Sequence, residues 1–384
     1  MDASRKTSLF KFTAIVISIF FSLVVGVLLI QIFYNPTPVY AGWNSLTGLG
    51  GVSPNEVNQF NFRGQPIKYK DDDFVIVMLG DSQVEAQACA YGWMPERRLE
   101  HYLNVDHGKK VKVFSLGASG YGQDQQLLAL QGYLLEYRAD LVILWQTPVN
   151  DVFNNMFPTN WPKNGAPKPT FWLENGKLRG PNYFLGQPIN HTSRLKIINL
   201  INNLTMSRDS DGDWEKFLPP PYQPIMDYDG LVNETWQNFW NRGGMRDENL
   251  DNEKTQMSIS FIPPSERMKY GLDLTHLLLQ EIEKATIEQG GKFVIFITEP
   301  FPDVLIKPND FMMVLNGKYY HVSTAQYYEN TAYMNRGFEY YILPVTTAEP
   351  TVGPDDGHLN EHAVDQVMDG LALILATQSD SLKE

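Results

Sequence analysis

Four short polar motifs, each next to an apolar or helical pattern, could together perform nucleophilic chemistry. They are Gly80-Asp81-Ser82, Gly117-Ala118-Ser119-Gly120-Tyr121-Gly122, Pro148-Val149-Asn150-Asp151 and Asp355-Asp356-Gly357-His358. A serine hydroxyl is a poor nucleophile near neutral pH, so it needs an adjacent base and a carboxylate that orients the base. The oxyanion that forms on attack needs preorganised hydrogen-bond donors. The four motifs together contain a residue type for each role.

The elements around these motifs predict how they are positioned. Largely apolar runs of strand length occupy residues 74–79, 111–116, 141–145, 293–298 and 340–345, and helical patterns occupy 96–103, 123–137, 272–289 and 361–377. Continuous apolar strands that alternate with helices predict an α/β sandwich of three layers around a parallel sheet. Sites in such folds form at the carboxyl ends of the strands, and the first three motifs stand there.

The motifs resemble the four blocks of the SGNH, or GDSL, hydrolase superfamily, over about residues 60–374. The resemblance implies a flavodoxin-like sandwich with five parallel strands and a variable insertion at 157–265. It further implies that Ser82 is the nucleophile and His358 the general base. The oxyanion donors implied are the backbone N–H groups of Ser82 and Gly120 and the side-chain amide of Asn150.

Two positions depart from the usual pattern of the superfamily. The third block usually reads Gly-x-Asn-Asp, whereas Pro148 stands in the place of the glycine. In the fourth block, Asp355 fits the usual Asp-x-x-His spacing and is predicted to orient His358. Related polysaccharide acetyltransferases often use Asp-x-His, which keeps Asp356 as the alternative.

The same region permits a rival interpretation as a metal site. His358-Leu359-Asn360-Glu361-His362 matches the His-x-x-Glu-His zinc-peptidase motif. That motif needs both histidines on one helix face, but Asp355-Asp356-Gly357 reads as a loop and a helix cap before the helix. The spacing of Gly117, Gly120 and Gly122 is not that of a dinucleotide-binding loop, and there is no Walker lysine. We therefore predict neither a metal nor a cofactor.

Composition limits the partners and the chain organisation. The formal net charge of −13 argues against nucleic-acid binding, which needs clustered Lys and Arg. The single cysteine, Cys89, rules out an intrachain disulfide and is predicted to be a small buried residue. Residues 157–265 hold 12 of the 24 prolines and five of the eight tryptophans. This segment is predicted to be a structural cap, or alternatively a lid or sugar-binding platform.

The N-terminus predicts a membrane anchor. Residues 12–34 carry no charge, and Arg5, Lys6 and Lys11 precede them. About 20 apolar residues span a bilayer core, and basic residues favour the cytoplasmic side. The predicted organisation is a cytoplasmic N-terminus (1–11), a transmembrane helix (12–34), a linker (35–70) and an extracytoplasmic SGNH-like domain (71–384). A cleaved signal peptide is the alternative.

These observations predict a serine-dependent carboxyl-ester hydrolase that acts outside the cytoplasmic membrane through an acyl-enzyme. The expected partner is an ester-bearing substrate, for which an acylated glycan is one candidate. An O-acyltransferase that modifies a cell-surface or exported polysaccharide is the first alternative, because it uses the same triad. A non-catalytic glycan-binding or assembly protein is the second.

Overall fold

The computed structural model describes residues 3–33, 56–159, 168–182, 195–198, 201, 214–232, 248–299, 310–353 and 356–377. Its strands, in chain order, are β1 (Phe74–Gly80), β2 (Val111–Gly117), β3 (Leu141–Gln146), β4 (Thr170–Glu174), β5 (Lys177–Asn182), β6 (Lys292–Thr298), β7 (Asp310–Leu315), β8 (Lys318–Ser323), β9 (Tyr340–Leu343), β10 (Thr351–Gly353) and β11 (Asp356–Leu359). Its main helices are α1 (Ala3–Phe33), α2 (Ser82–Glu85), α3 (Pro95–Val105), α4 (Gln123–Leu134), α5 (Pro148–Met156), α6 (Glu266–Glu288), α7 (Thr324–Met334) and α8 (Glu361–Thr377).

Five parallel strands form the central sheet, in the order β2–β1–β3–β6–β9. These are the five apolar runs predicted from the sequence, and the four predicted helices correspond to α3, α4, α6 and α8. Because β1 lies between β2 and β3, the segments that follow these three strands meet at one edge of the sheet. The prediction of a flavodoxin-like α/β sandwich is therefore confirmed.

Successive residues of β1 pack on opposite faces of the sheet, which gives the three layers. Val75, Val77 and Leu79 pack in one core with apolar residues of α4 and α6. Ile76 and Met78 pack in the other core with apolar residues of α3 and α8. Both faces of the sheet are thus covered, as its continuous apolar strands require.

The first helix, α1, has the length and composition of a membrane span. Its segment Phe10–Phe33, 24 residues near the N-terminus, is apolar apart from Lys11 and a few polar residues, and a signal sequence has the same character. The apolar side chains of this segment are largely exposed, with Phe12, Phe20 and Phe21 among them. Residues 56–70, part of the predicted linker, contact the sandwich, since Phe62 and Ile67 lie buried in its first core.

Part of the 157–265 segment is ordered by a hairpin. Strands β4 and β5 are antiparallel and are joined by Asn175 and Gly176, both with positive φ. Trp214 is buried and donates its indole N–H to the Met156 carbonyl at 2.8 Å, and Trp172 packs against the first core. Trp161, Trp236 and Trp240 lie outside the described residues. The two tryptophans of this segment that can be described therefore contact the first core, and its role as a cap stays a prediction.

Candidate active site

Ser82 begins the short helix α2 directly after β1. Asp81 is the N-cap, and its Oδ1 accepts the backbone N–H of Gln83 at 2.9 Å. The N–H of Ser82 belongs to the first turn of the helix, whose N–H groups have no intrahelical acceptor. A Cβ atom at Gly80 would lie 2.4 Å from Val84 Cγ2, and one at Gly117 would lie 2.5 Å from the same side chain. The two glycines thus allow α2 to approach the strand ends closely.

Asn150 lies beside Asp81, the residue before Ser82, because β3 is a neighbour of β1. Its Nδ2 donates to Asp81 Oδ2 at 2.9 Å, which joins the first and third motifs. Pro148 is the first residue of α5, a position where proline is favoured because the missing N–H would have no acceptor there. The substitution of proline for the usual glycine is therefore compatible with the position of Asn150.

Gly120 lies in the turn after β2. The N–H of Tyr121 donates to the Ala118 carbonyl at 3.1 Å, and Gly120 has a φ of 74°. Ser119 is bonded to the Glu85 carboxylate of α2, through its N–H at 2.7 Å and its hydroxyl at 2.5 Å. Within the described part of the chain, the N–H of Gly120 itself donates no hydrogen bond.

His358 lies on β11, in a two-stranded hairpin with β10. Its Nδ1 is 2.5 Å from Asp356 Oδ1, and the same oxygen accepts the His358 backbone N–H at 2.9 Å. Asp355, the residue predicted to orient His358, lies outside the described residues. The contact that can be described is therefore with Asp356, the alternative, and the role of Asp355 stays a prediction.

Gln83 links the Ser82 segment to the His358 strand. Its Nε2 donates to the Gly357 carbonyl at 3.0 Å, and its Oε1 accepts the Leu359 N–H at 3.2 Å. Gln83 is the residue after Ser82, while Gly357 and Leu359 flank His358. Gln83 and Leu359, which are 276 positions apart in the sequence, are thus in direct contact.

The loop after α2 adds two further contacts to the same region. The N–H of Ala90 donates to Glu361 at 2.7 Å, and the Cys89 thiol lies 3.8 Å from the Leu359 carbonyl. Cys89 is buried, as predicted, and burial raises its pKa to about 11. The thiol therefore stays protonated at neutral pH, and we assign it packing rather than chemistry.

Burial and hydrogen bonding shift the pKa values of the carboxyl groups in opposite directions. Burial raises the pKa of Asp81, against the opposing effects of its bonds to Asn150 and Gln83 and of the nearby charge of His358. Burial, together with the charge of Asp81, raises the pKa of Asp151 well above its ordinary value. Burial also acts to raise the pKa of Asp356, but its two bonds to His358 and the charge of that residue together outweigh burial and lower the pKa. An ionised Asp356 is the form that can stabilise a protonated imidazole.

The structure separates the two histidines of the zinc-type motif. His358 belongs to strand β11, whereas Glu361 and His362 are the first two residues of α8. Both histidines would need to lie one turn apart on a helix to bind zinc in that way. Among the residues that the structure describes, no group of three or more His, Cys, Asp or Glu side chains could hold a metal ion.

Sequence reasoning missed two side chains, Gln83 and Glu85, that connect the motifs. Neither carries a sequence signal, because a polar residue in a four-residue helix is usually read as solvent-exposed. Asp81 was used only as part of the Gly-Asp-Ser motif, although it binds both Asn150 and the backbone of Gln83. Alternate residues of α2 and its cap, at 81, 83 and 85, thus each reach a different motif.

The chain is similar to known proteins only at low sequence identity. No family model matches the chain, and no curated protein matches it. A solved structure of the lipase Lip_vut3 from a goat rumen metagenome aligns with 80% of this chain and 99% of its own, at 9% identity and a TM-score of 0.35. An acetyl xylan esterase, Est2A from the rumen bacterium Butyrivibrio proteoclasticus, aligns with 83% of this chain and 67% of its own, at 10% identity and a TM-score of 0.35. Since both TM-scores lie below 0.5, neither likeness carries an argument about the chemistry of this chain.

Proposed function

We propose that this chain is a serine-dependent carboxyl-ester hydrolase of the SGNH type. One observation carries the proposal: Asp81, Gln83 and Glu85 hydrogen-bond three different motifs, those of Asn150, His358 and Gly120. Ser82 belongs to the same short segment, which supports the proposal that its hydroxyl lies near the base and the two groups of oxyanion donors. A serine in an ordinary helix cap needs none of these contacts.

The proposed reaction proceeds in two steps through an acyl-enzyme. His358 Nδ1 donates to Asp356, which leaves Nε2 to accept the proton of the Ser82 hydroxyl as the oxygen attacks the ester carbonyl. The N–H groups of Ser82 and Gly120 and the amide of Asn150 donate to the oxyanion. His358 then protonates the departing alcohol, and a water molecule activated by the same imidazole releases the acid.

The proposed location is the outer side of the cytoplasmic membrane. The apolar helix Phe10–Phe33 would hold the chain in the membrane, with Arg5, Lys6 and Lys11 on the cytoplasmic side. The sandwich would then face the periplasm or the extracellular space. An ester on a glycan or another exported molecule would be accessible to it there.

The test is hydrolysis of an aryl acetate by the full chain in detergent micelles, with and without glycan acceptors. We expect Ser82→Ala to lower kcat at least about 10³-fold, because the proposed acyl-enzyme forms on the Ser82 oxygen. Transfer of acetate to a glycan in preference to water would identify the acyltransferase instead.

Ser265→Ala is the matched control. Ser265 caps α6, far along the chain from the motifs, and its hydroxyl accepts the Met268 N–H at 2.9 Å. Its loss should cost about 1 kcal/mol of stability and leave kcat unchanged. Turnover by Ser82→Ala equal to that of the wild type would end the proposal, and no turnover by either protein would favour a non-catalytic binding role.

A further inference from the structure

Glu85 is a buried carboxylate that the reaction scheme above does not use. It ends α2, three residues after Ser82, and lies 5% exposed. Its Oε2 accepts both the N–H and the hydroxyl of Ser119, at 2.7 and 2.5 Å. No Lys, Arg or His within the described ranges forms an ion pair with it. The hydrogen bonds to Ser119, and one from Gln87 to Oε1 at 2.8 Å, therefore stabilise its position in the protein interior.

Ser119 and Gly120 are the central residues of the turn between Ala118 and Tyr121. The positive φ of Gly120, 74°, is the value that the third residue of a type II turn requires. The N–H that closes the turn is that of Tyr121, so the N–H of Gly120 is not used by the turn itself. Any rotation of the peptide between Ser119 and Gly120 would change the direction of this N–H. Glu85 binds the residue before that peptide bond, through the Ser119 hydroxyl and the N–H of the preceding Ala118–Ser119 peptide, and so limits the rotation of Ser119.

We propose that Glu85 is a positioning residue that fixes the Ser119–Gly120 peptide so that the Gly120 N–H points toward the oxyanion. The inference rests on the proposed function. Hydrogen bonds to a charged acceptor are roughly twice as strong as neutral ones, and one carboxylate oxygen holds two donors of the same residue. An oxyanion donor contributes most when it is already oriented before the reaction. Because Glu85 and Ser82 share α2, the same helix sets the nucleophile and one of its donors.

The experiment compares Glu85→Gln, Ser119→Ala and their double variant in the full-length protein. For Glu85→Gln we expect kcat for an aryl acetate to fall about 10-fold with KM changed less than about 3-fold, because the donor acts on the transition state. Ser119→Ala keeps its backbone N–H, so its kcat should fall only about 3-fold. The double variant should resemble Glu85→Gln alone, because both changes act on one contact.

Phosphonylation of Ser82 by an aryl fluorophosphonate supplies the readout that a purely structural role would not move. In Glu85→Gln the rate of phosphonylation should fall by the same factor as kcat, since the phosphonyl oxygen uses the same donors. The fraction of protein that can be labelled and the melting temperature should stay near their wild-type values. Gln87→Ala is the matched control, because it removes the other hydrogen bond to Glu85 and leaves Ser119 in place. We expect it to react within about 2-fold of the wild-type rate.

The possible outcomes separate the two proposals. If the wild type is labelled at Ser82 and Glu85→Gln is labelled equally fast, the role of Glu85 is wrong and the proposed function stands. Equal losses in Glu85→Gln and Gln87→Ala would likewise overturn the role of Glu85. If the wild type is not labelled at all, the proposed function fails and this inference fails with it. Should Glu85→Gln not fold, an unchanged labelling rate in Ser119→Ala would by itself overturn the inference.

Discussion

Asp81 is buried and accepts a hydrogen bond from Asn150, at the ends of two adjacent parallel strands. Asp356 and His358, by contrast, lie on a short hairpin, with 48% and 41% of their side chains exposed. We refer to the segment 81–85 with Asn150 and the 118–121 turn as the nucleophile side, and to residues 351–359 as the base side. The nucleophile side is fixed by the sheet and by partly buried hydrogen bonds. The base side is held by the two hydrogen bonds of Gln83 and by Leu359, which is buried in the second core. The comparison teaches that the sheet sets the proposed nucleophile and its proposed donors, while the proposed base is positioned in part by the segment that carries Ser82.

The electrostatic properties of the two sides differ in the same way. Burial raises the pKa of Asp81 on the nucleophile side, and hydrogen bonds to His358 lower that of Asp356 on the base side. Removal of Asn150, the hydrogen-bond donor to buried Asp81, should therefore reduce both activity and stability. Removal of a group on the base side should reduce activity alone.

Asn150→Ala tests the nucleophile side and should have the largest effect. The loss of one oxyanion donor should lower kcat about 10²–10³-fold. Asp81 would also lose its 2.9 Å amide donor inside the protein, at about 1–3 kcal/mol of unfolding free energy. Steady-state hydrolysis and denaturant unfolding measure the two effects. A stability loss with unchanged kcat would show that Asn150 only supports Asp81.

Asp356→Asn tests the base side. The asparagine cannot stabilise a protonated imidazole, so kcat should fall about 10²-fold, while the unfolding free energy should change by less than about 0.5 kcal/mol. Asp355→Asn is the matched variant one residue earlier. A larger loss of kcat in Asp355→Asn than in Asp356→Asn would assign the orienting role to Asp355.

Gln83→Ala tests the connection between the two sides. Both hydrogen bonds to the hairpin would be lost, so His358 would be held less well and kcat should fall about 10-fold. The effect on stability should stay below about 1 kcal/mol, because the bonds are partly exposed. If kcat stays within about 2-fold, the hairpin is positioned by other contacts, such as that of Ala90 with Glu361.

A final prediction concerns stability alone and the support beneath the nucleophile side. Glu96 is buried and accepts the Gln65 N–H at 2.7 Å. Arg63, two residues before Gln65, donates to the carbonyls of Ala86 and Cys89 after α2. Burial raises the pKa of Glu96 from its ordinary 4.5 to about 8. Its protonated form is thus favoured in the folded protein, so the contribution of Glu96 to stability is fully present below pH 4.5 and is lost as the pH rises from 4.5 to 8.

Glu96→Gln should remove that part of the pH dependence. The neutral amide keeps an acceptor for Gln65, and the variant should be more stable than the wild type at pH 8 by about 2–4 kcal/mol. Denaturant unfolding at pH 5 and pH 8 measures the difference, and kcat should not change. An equal slope of stability with pH in both proteins would contradict the prediction.

The sheet was predictable from the sequence because its strands are buried on both faces. Their apolar runs are continuous and end at turn residues, as at Gly80 and Gly117, so both their type and their limits could be predicted. Helix α8 has an amphipathic pattern and was predicted with the observed limits, 361–377. The positions of Ser82, Gly120 and Asn150 at one edge then followed from strand order.

Other elements were not predicted although a signal was present. Strands β4–β5 and β7–β8 are each joined by Asn-Gly, at Asn175-Gly176 and Asn316-Gly317, with positive φ at all four residues. Asn-Gly between strands is a strong hairpin signal, but the high proline content of the 157–265 segment argued against regular strands and obscured the first of these hairpins. The contacts of Gln83 and Glu85 had no such signal, because long-range pairing of side chains leaves no periodicity in the sequence.

The most direct test of the convergence of Ser82 and His358 is fluorophosphonate labelling followed by peptide mapping. Labelling of Ser82 requires the hydroxyl, the oxyanion donors and the base to act at one point. We expect stoichiometric label on Ser82 in the wild type, at least about 10²-fold slower labelling in His358→Ala, and the wild-type rate in His362→Ala, four residues further on. Label on another residue, or equal rates in the wild type and His358→Ala, would contradict the account.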